Sequence, residues 1–413
     1  MTQRNRTTLI FILGLLSAIG PFSIDMYLPG FPAIAQSLHT TVDYISYSLA
    51  SFFIGICTGQ LICGPLLDRF GRKRPLYAGL VIYIIASLGC AVSNTVELLI
   101  AFRFLQALGG CVGMVAPGAI VRDVFPVNEN ARIFSLLILI LGVSPIVAPT
   151  IGSFLILSLG WHAVFFVLAA ITFLLLLAVI FILPESKGPD PSISLRPKQV
   201  FTNFWIVLKN PQFFTYAFAG AISAAGLFAY LSGSPAVFMQ LFKVSEQQYG
   251  WIFALIAAGL ITSSQLNNLL LKKYTSQQVI WVVMLVQTSI GICLFAGSLL
   301  HWHNLYSTIV CIFLFLSCQG FCFPNSSALS LAPFTKEAGS AAALMGAIQM
   351  ALGAFASALV GIINDGSLLP MTGIMAACAL TGLLVLLMGR RKIEYKARLE
   401  NIEEQAFDLI EKY

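Results

Sequence analysis

Tyr27-Leu28-Pro29-Gly30-Phe31-Pro32-Ala33 (YLPGFPA) returns 203 residues later as Tyr230-Leu231-Ser232-Gly233-Ser234-Pro235-Ala236 (YLSGSPA), with five of seven positions kept. Gln60-Leu61 and Gln265-Leu266 match at an offset of 205, one apolar run further along in each copy. Each heptapeptide stands at the end of a long apolar run, so the chain repeats a large unit that begins on the same side each time. The first run therefore belongs to the folded protein, although Ala33-Ile34-Ala35 behind Arg4 and Arg6 has the look of a signal-peptide cleavage site.

What lies around the repeat fixes the class. Of 413 residues, 58% are hydrophobic and only 10% charged, and the mean hydropathy is +0.89. A soluble domain is about one quarter charged. The apolar residues form twelve runs, at about 8–28, 44–67, 75–93, 97–120, 132–157, 162–183, 212–239, 247–271, 278–300, 304–330, 339–363 and 369–389. Runs of about 20 residues suit helices crossing some 30 Å of hydrocarbon. Lipid leaves no partner for open backbone groups, and the alternation of a membrane barrel is missing, so the spans are helices. The expectation is an all-α integral membrane protein with twelve transmembrane helices, built as two six-helix bundles related by a parallel pseudo-two-fold repeat.

Lysine and arginine give the orientation, because short cytoplasmic loops retain them. Counted from the first span, the odd-numbered gaps hold only Lys243, whereas 21 of the 23 cations lie in the even-numbered gaps and the tails. Both termini are expected in the cytoplasm, and the net charge of +6 reflects topology rather than nucleic-acid binding. The expected divisions are an N-terminal bundle over 1–186, a Pro- and Ser-rich cytoplasmic linker over 187–210, a C-terminal bundle over 211–392 and an amphipathic tail over 393–413. Within the linker, residues 198–209 read as an interfacial helix with Phe201, Phe204 and Trp205 towards lipid; in the tail, Ile402, Ala406 and Leu409 fall at helical spacing. All nine cysteines lie within apolar runs, and the sequence supplies no ligand set for a metal and no P-loop. No metal, no cofactor and no enzymatic activity are expected.

Gly64-Pro65-Leu66-Leu67-Asp68-Arg69-Phe70-Gly71-Arg72-Lys73, between spans two and three, resembles the G-x-x-x-D-R-x-G-R-[RK] loop of the major facilitator superfamily. Leu98 to Cys111, with Arg103 and Gln106, resembles that family's fourth-span motif. Pro145, Pro149 and Gly152 resemble its fifth-span antiporter motif, although Ser144, Ala148 and Ser153 replace three of the motif's glycines. Pro184-Glu185-Ser186 is similar to the family's end of span six. "DMYLPGFPAIA" and "VRDVF" (Val121–Phe125) resemble the Bcr/CflA drug-resistance branch of drug:proton antiporters. The resemblance implies export of small amphipathic drugs or metabolites through a bacterial inner membrane, by a monomer that rocks about a central cavity and draws on a proton gradient. It also implies a gating set of Gly64, Asp68, Arg69, Gly71, Arg72, Pro145, Pro149 and Gly152, with Asp68 latching onto the start of span eleven near Ala338–Ala342.

Only Asp25 and Arg103 are charges well inside the spans. Each would cost about 2.5–3.5 kcal/mol at the bilayer centre. Asp25 also fits a merely hydrated helix end. The mechanistic expectation is that the two face one another across the cavity: burial favours the neutral acid and a nearby guanidinium favours the carboxylate, so Asp25 would carry the coupling proton and Arg103 would tune it. By the offset of 203, Phe228 occupies the place of Asp25 in the second half. Candidate substrate contacts are Tyr27, Gln106, Met114, Phe228, Tyr230, Gln319, Phe323 and Asn325, each of which also fits ordinary helix packing. Gln349 and Asn267-Asn268 read as interhelical hydrogen bonds, and Asp123 as either an inner-gate residue or a loop charge. Alternatives left open are a passive or importing metabolite carrier and a non-transporting membrane sensor.

Overall fold

The computed structural model describes residues 3–125, 127–191, 197–302, 304–334 and 338–410. Linker residues 192–196, the three residues before the eleventh span and the last three of the tail lie outside the described residues, as do the side chains of Phe201, Ile402, Ala406 and Leu409.

All described secondary structure is helical. The first half runs α1 (Gln3–Asp25), a 3-10 turn (Leu28–Gly30), α2 (Phe31–Ser37), α3 (Val42–Phe70), α4 (Lys73–Ala91), α5 (Val96–Val124), α6 (Val127–Leu159) and α7 (His162–Phe181). After α8 (Pro197–Lys209) come α9 (Pro211–Pro235), a π turn (Ala236–Leu241), α10 (Glu246–Leu270), α11 (Ser276–Leu299), α12 (Leu305–Leu331), α13 (Ala338–Ile363) and α14 (Leu369–Ile410). Among the described residues eleven helices are long and apolar enough to cross a membrane, and Val143–Leu159 in α6 is a shorter apolar segment. The repeat is visible in the backbone, since both copies of the heptapeptide coincide with a change of helix type. In the first, Pro29 lacks the N–H that would continue α1.

Side-chain capping sets the helix starts. Thr41 and Thr95 accept backbone N–H bonds at the heads of α3 and α5, and Ser245, Thr275 and Asn304 form reciprocal capping boxes at α10, α11 and α12. The helices of each half pack on one another, α3 on α5 and α4 on α5 and α7 in the first, α9 on α12, α13 and α14 in the second. Between halves, α3 packs on α13 and α6 on α10.

Two expectations change. The chain from the twelfth span to Ile410 is one helix of 42 residues, with no break where the tail was expected to begin. In α8, Phe204 does not face lipid: it is buried with Val207, Phe213, Ala341 and Leu344, because the apolar side of α8 is covered by α9 and α13, and Trp205 instead stands 59% exposed.

Candidate transport site between the two bundles

Asp25 is the last residue of α1, and its side chain is only 4% exposed. It makes no hydrogen bond or ion pair among the described residues. The turn that follows packs on α9 and α10, and the groups on which Asp25 acts electrostatically are Tyr230 and Tyr249 of the other half.

Arg103 points elsewhere. Its guanidinium lies 4.1 Å from the ring centre of Phe52, 4.7 Å from that of Tyr27 and 5.9 Å from that of Phe165, an aromatic cage in which flat cation faces meet the negative ring faces. Its Nη1 donates to Gln106 Oε1 at 2.6 Å, and Gln106 Nε2 donates to Ser87 Oγ at 2.8 Å. Nε and Nη2 have no partner. Tyr27 Oη and Ser48 Oγ are 2.6 Å apart, and Tyr83 Oη and Ser23 Oγ share a similar bond, so α1, α3, α4, α5 and α7 are tied together around this one cation. The expected meeting of Asp25 with Arg103 is therefore not present. The two belong to different surroundings: the turn after α1 brings Tyr27 to the guanidinium, whereas Asp25 makes no hydrogen bond or ion pair with it.

Six of the eight candidate substrate residues are buried. Tyr27 and Gln106 belong to the cage. Phe228 stands edge-on to Phe53 across the bundles, ring centres 4.6 Å apart. Tyr230 stacks on Phe253 at 5.9 Å, its hydroxyl buried without a partner. Gln319 Oε1 accepts from Ser223 Oγ at 3.1 Å and Gln287 Nε2 at 3.3 Å, and Asn325 Nδ2 donates to Asn267 Oδ1 at 2.7 Å. Only Met114, which packs on Gly20, and Phe323 keep open surface. Phe323 is 46% exposed and lines a small cleft with Ser327, Met345 and Gln349.

The end of the molecule bearing the Gly64–Lys73 loop is held by charge. Gly71 takes φ +81°, a left-handed conformation natural to glycine. Arg72 donates to Asp68 Oδ1 at 2.7 Å and Asp123 Oδ2 at 2.7 Å, and Glu185 Oε1 accepts the Arg72 backbone N–H at 2.7 Å, placing a carboxylate at the positive end of α4. Asp68 is thus paired with Arg72 and its side chain is 47% exposed; among the described residues no hydrogen bond or ion pair joins it to the head of α13. Gly64 faces open space. The opposite end is sealed between bundles: Asn364 Nδ2 donates to Asp43 Oδ1, and Ser153 Oγ donates to the Glu246 carbonyl at 3.1 Å. Asp365 beside this seal is exposed, and hydrogen bonds from Ser367 hold its carboxyl below the ordinary carboxylate range.

Residues 13–358 match the family model described as Major Facilitator Superfamily. The chain belongs to that superfamily. Among its relatives it is 34% identical to the uncharacterized MFS-type transporter YdgK of Bacillus subtilis, over 93% of this chain and 95% of the other. It is 30% identical to the bicyclomycin resistance protein homolog of Haemophilus influenzae, over 92% and 96%, and 29% identical to multidrug resistance protein MdtL of Escherichia coli, over 89% and 92%. These relatives agree with the drug-resistance branch that the motifs resemble. In fold it is similar to a bacterial homolog of the human lysosomal transporter Spinster, with a TM-score of 0.70 at 14% identity, covering 94% of this chain and 96% of that one.

For a member of this superfamily, the residues sequence reasoning missed are those that close the seam: Asp43 with Asn364, and Glu246, whose carbonyl accepts from Ser153. Asp43 and Asn364 lie 321 residues apart, and no local pattern joins them. Ser153 carried a signal that could have been read, since a hydroxyl in place of a motif glycine adds a donor at a close helix contact.

Proposed function

We propose that the protein is a proton-coupled exporter of small amphipathic drugs or metabolites, working by alternating access as a monomer in a bacterial inner membrane. The distribution of lysine and arginine supports both termini on the cytoplasmic side, which makes the Asp43–Asn364 end the external one. The drug-resistance names of the relatives support an exporter. No cofactor enters this reading, because the gradient supplies the energy, about 2.3 kcal/mol per proton per 100 mV.

The observation that carries the proposal is the Asp25 carboxyl, shut between two bundles with no cation and no hydrogen bond. An isolated carboxylate is very costly to remove from water, and such groups neutralise instead. External closure over Asp25 therefore favours the acid that has taken up a proton. With the outside open, water reaches Asp25 and it is loaded; the bundles then close externally, and the proton leaves when the inner side opens and substrate enters. Arg103 acts on this cycle indirectly, as the fixed core against which α1 is held.

Proteoliposomes loaded with the protein, using bicyclomycin and ethidium as probes, test this. Wild type accumulates probe when a pH gradient is imposed; Asp25→Asn loses accumulation to background while probe exchange at equal concentrations continues. Equal fluxes with and without a gradient in wild type would identify a passive carrier, and no flux of any probe a sensor.

A further inference from the structure

At the outer seam α6 and α10 approach closely. Ser153 Oγ donates to the Glu246 carbonyl at 3.1 Å, and one turn further along α10 a Cβ on Gly250 would stand 3.2 Å from Ser153 Oγ and 3.7 Å from the Pro149 carbonyl oxygen. Glu246 is thus held in the seam by its main chain. Its side chain is not: Oε2 is cut off from solvent and has no hydrogen-bond partner. The capping box at the head of α10 closes between Ser245 and Gln248 and leaves the carboxyl out. Asp43, the other acid of this seam, differs in having a donor, the Asn364 amide.

The elements packed against this end of α10 do not neutralise Glu246. They are α6, α12, the Leu28–Gly30 turn and the π turn. Residues Val143–Leu159 of α6 contain no titratable group, and His162 beyond them is exposed. The two turns contain none either; beside them stand Asp25, Tyr27 and the exposed Lys243. At this end α12 brings Tyr306, 77% exposed, and Cys311, and α10 itself brings Tyr249, which is engaged with Ser234. None of these groups bonds to Glu246 Oε2.

We propose that Glu246 is a second proton site, loaded from the external phase as the bundles close and emptied to that same phase as they part, so that an external proton is a ligand that holds the outer seam shut. This rests on the alternating access proposed above, not on Asp25 being the coupling acid. A carboxylate oxygen shut away from water without a donor is costly, whereas water serves it once the seam opens. The closed form therefore binds the proton more tightly, and closure is favoured as external pH falls. Because the proton returns to the side it came from, it adds nothing to the transport stoichiometry. It acts on the gate: the acidic exterior that drives export also favours the outward-closed form.

Full-length protein in nanodiscs, spin-labelled at Gln36 and Gln240 beside the outer hollow, tests this in an Asp25→Asn background, where Asp25 no longer titrates. Between pH 8 and pH 5 the closed-to-open ratio is expected to rise about tenfold, the equivalent of about one pH unit of difference in proton affinity between the two forms. Adding Glu246→Gln, which is neutral and of the same shape, is expected to hold the ratio near its acid value at pH 8 and to cut the rise to about threefold or less. Glu246→Asp, which still titrates, keeps a rise. A rise of undiminished size with Glu246→Gln, or no rise without it, overturns the inference. Either result leaves the exporter reading standing, since that reading is decided by flux under a pH gradient.

Discussion

Tyr27 and Tyr230 stand at matching places in the two repeats, 203 residues apart, yet their hydroxyls have opposite fates. Tyr27 is bonded to Ser48 at 2.6 Å and lends its ring to the Arg103 cage; Tyr230 stacks on Phe253, and its buried hydroxyl makes no such bond. The bundle cores differ in the same sense. The first is organised around one buried cation bonded to Gln106, the second around the neutral set Ser223, Gln287 and Gln319. The same helix plan occurs twice, and the halves differ in what fills it: the first is tied together around a buried cation by charge and aromatic rings, the second by hydrogen bonds among neutral side chains.

If the first core is the stiffer, breaking it does the most harm. Arg103→Ala leaves a cavity among Phe52, Tyr27 and Phe165 and strands Gln106 Oε1, a loss of about 3–5 kcal/mol. Arg103→Lys recovers little of it, since an ammonium lacks the flat face that stacks on rings. Thermal unfolding of purified protein reads both, and an unchanged midpoint in Arg103→Ala would remove the contrast between the bundles. Gln319→Ala is the matching cut in the second core. It removes the acceptor at 3.3 Å from Gln287 Nε2 and one of the two acceptors of the Ser223 hydroxyl, which keeps Gln287 Oε1, and should cost about 1–3 kcal/mol, less than the arginine by the same assay; an equal or greater loss would reverse the ranking. The smallest effect concerns the seam. Ser153→Ala removes one bond between bundles, worth about 0.5–1.5 kcal/mol, and should shift the closed-to-open ratio at the Asp43 end by roughly 2- to 10-fold. Distance distributions between spin labels at Gln36 and Gln240, which flank the hollow outside that seal, report the shift; identical distributions would mean that Ser153 does not hold the seam.

Much of this was legible before any coordinates. Twelve apolar runs, an internal repeat and a cation-rich loop are one-dimensional signals, because span length and loop charge follow from membrane thickness and topology. The burial of Asp25 and Arg103 was legible for the same reason. Their mutual orientation was not, since which face of α1 meets α5 and which meets the second bundle is set by packing between segments far apart in the chain. The Asp68 pairing lay within reach, as Arg72 follows four residues later, but a partner on a distant helix was the more familiar expectation. The substrate candidates were drawn from helices that face a cavity, and sequence cannot separate the side of a helix that meets the cavity from the side that meets its own bundle.

Gly152 sits so close to the Met26 carbonyl that a side chain there would collide with backbone, which does not yield as a flexible side chain can. The residue beside Asp25 is thus clamped main chain to main chain, and the acid has no slack of its own. If Asp25 is the coupling acid proposed above, its alternate exposure to the two aqueous phases would come from the second bundle swinging past a stationary acid, and the proton would wait in place while the walls around it move.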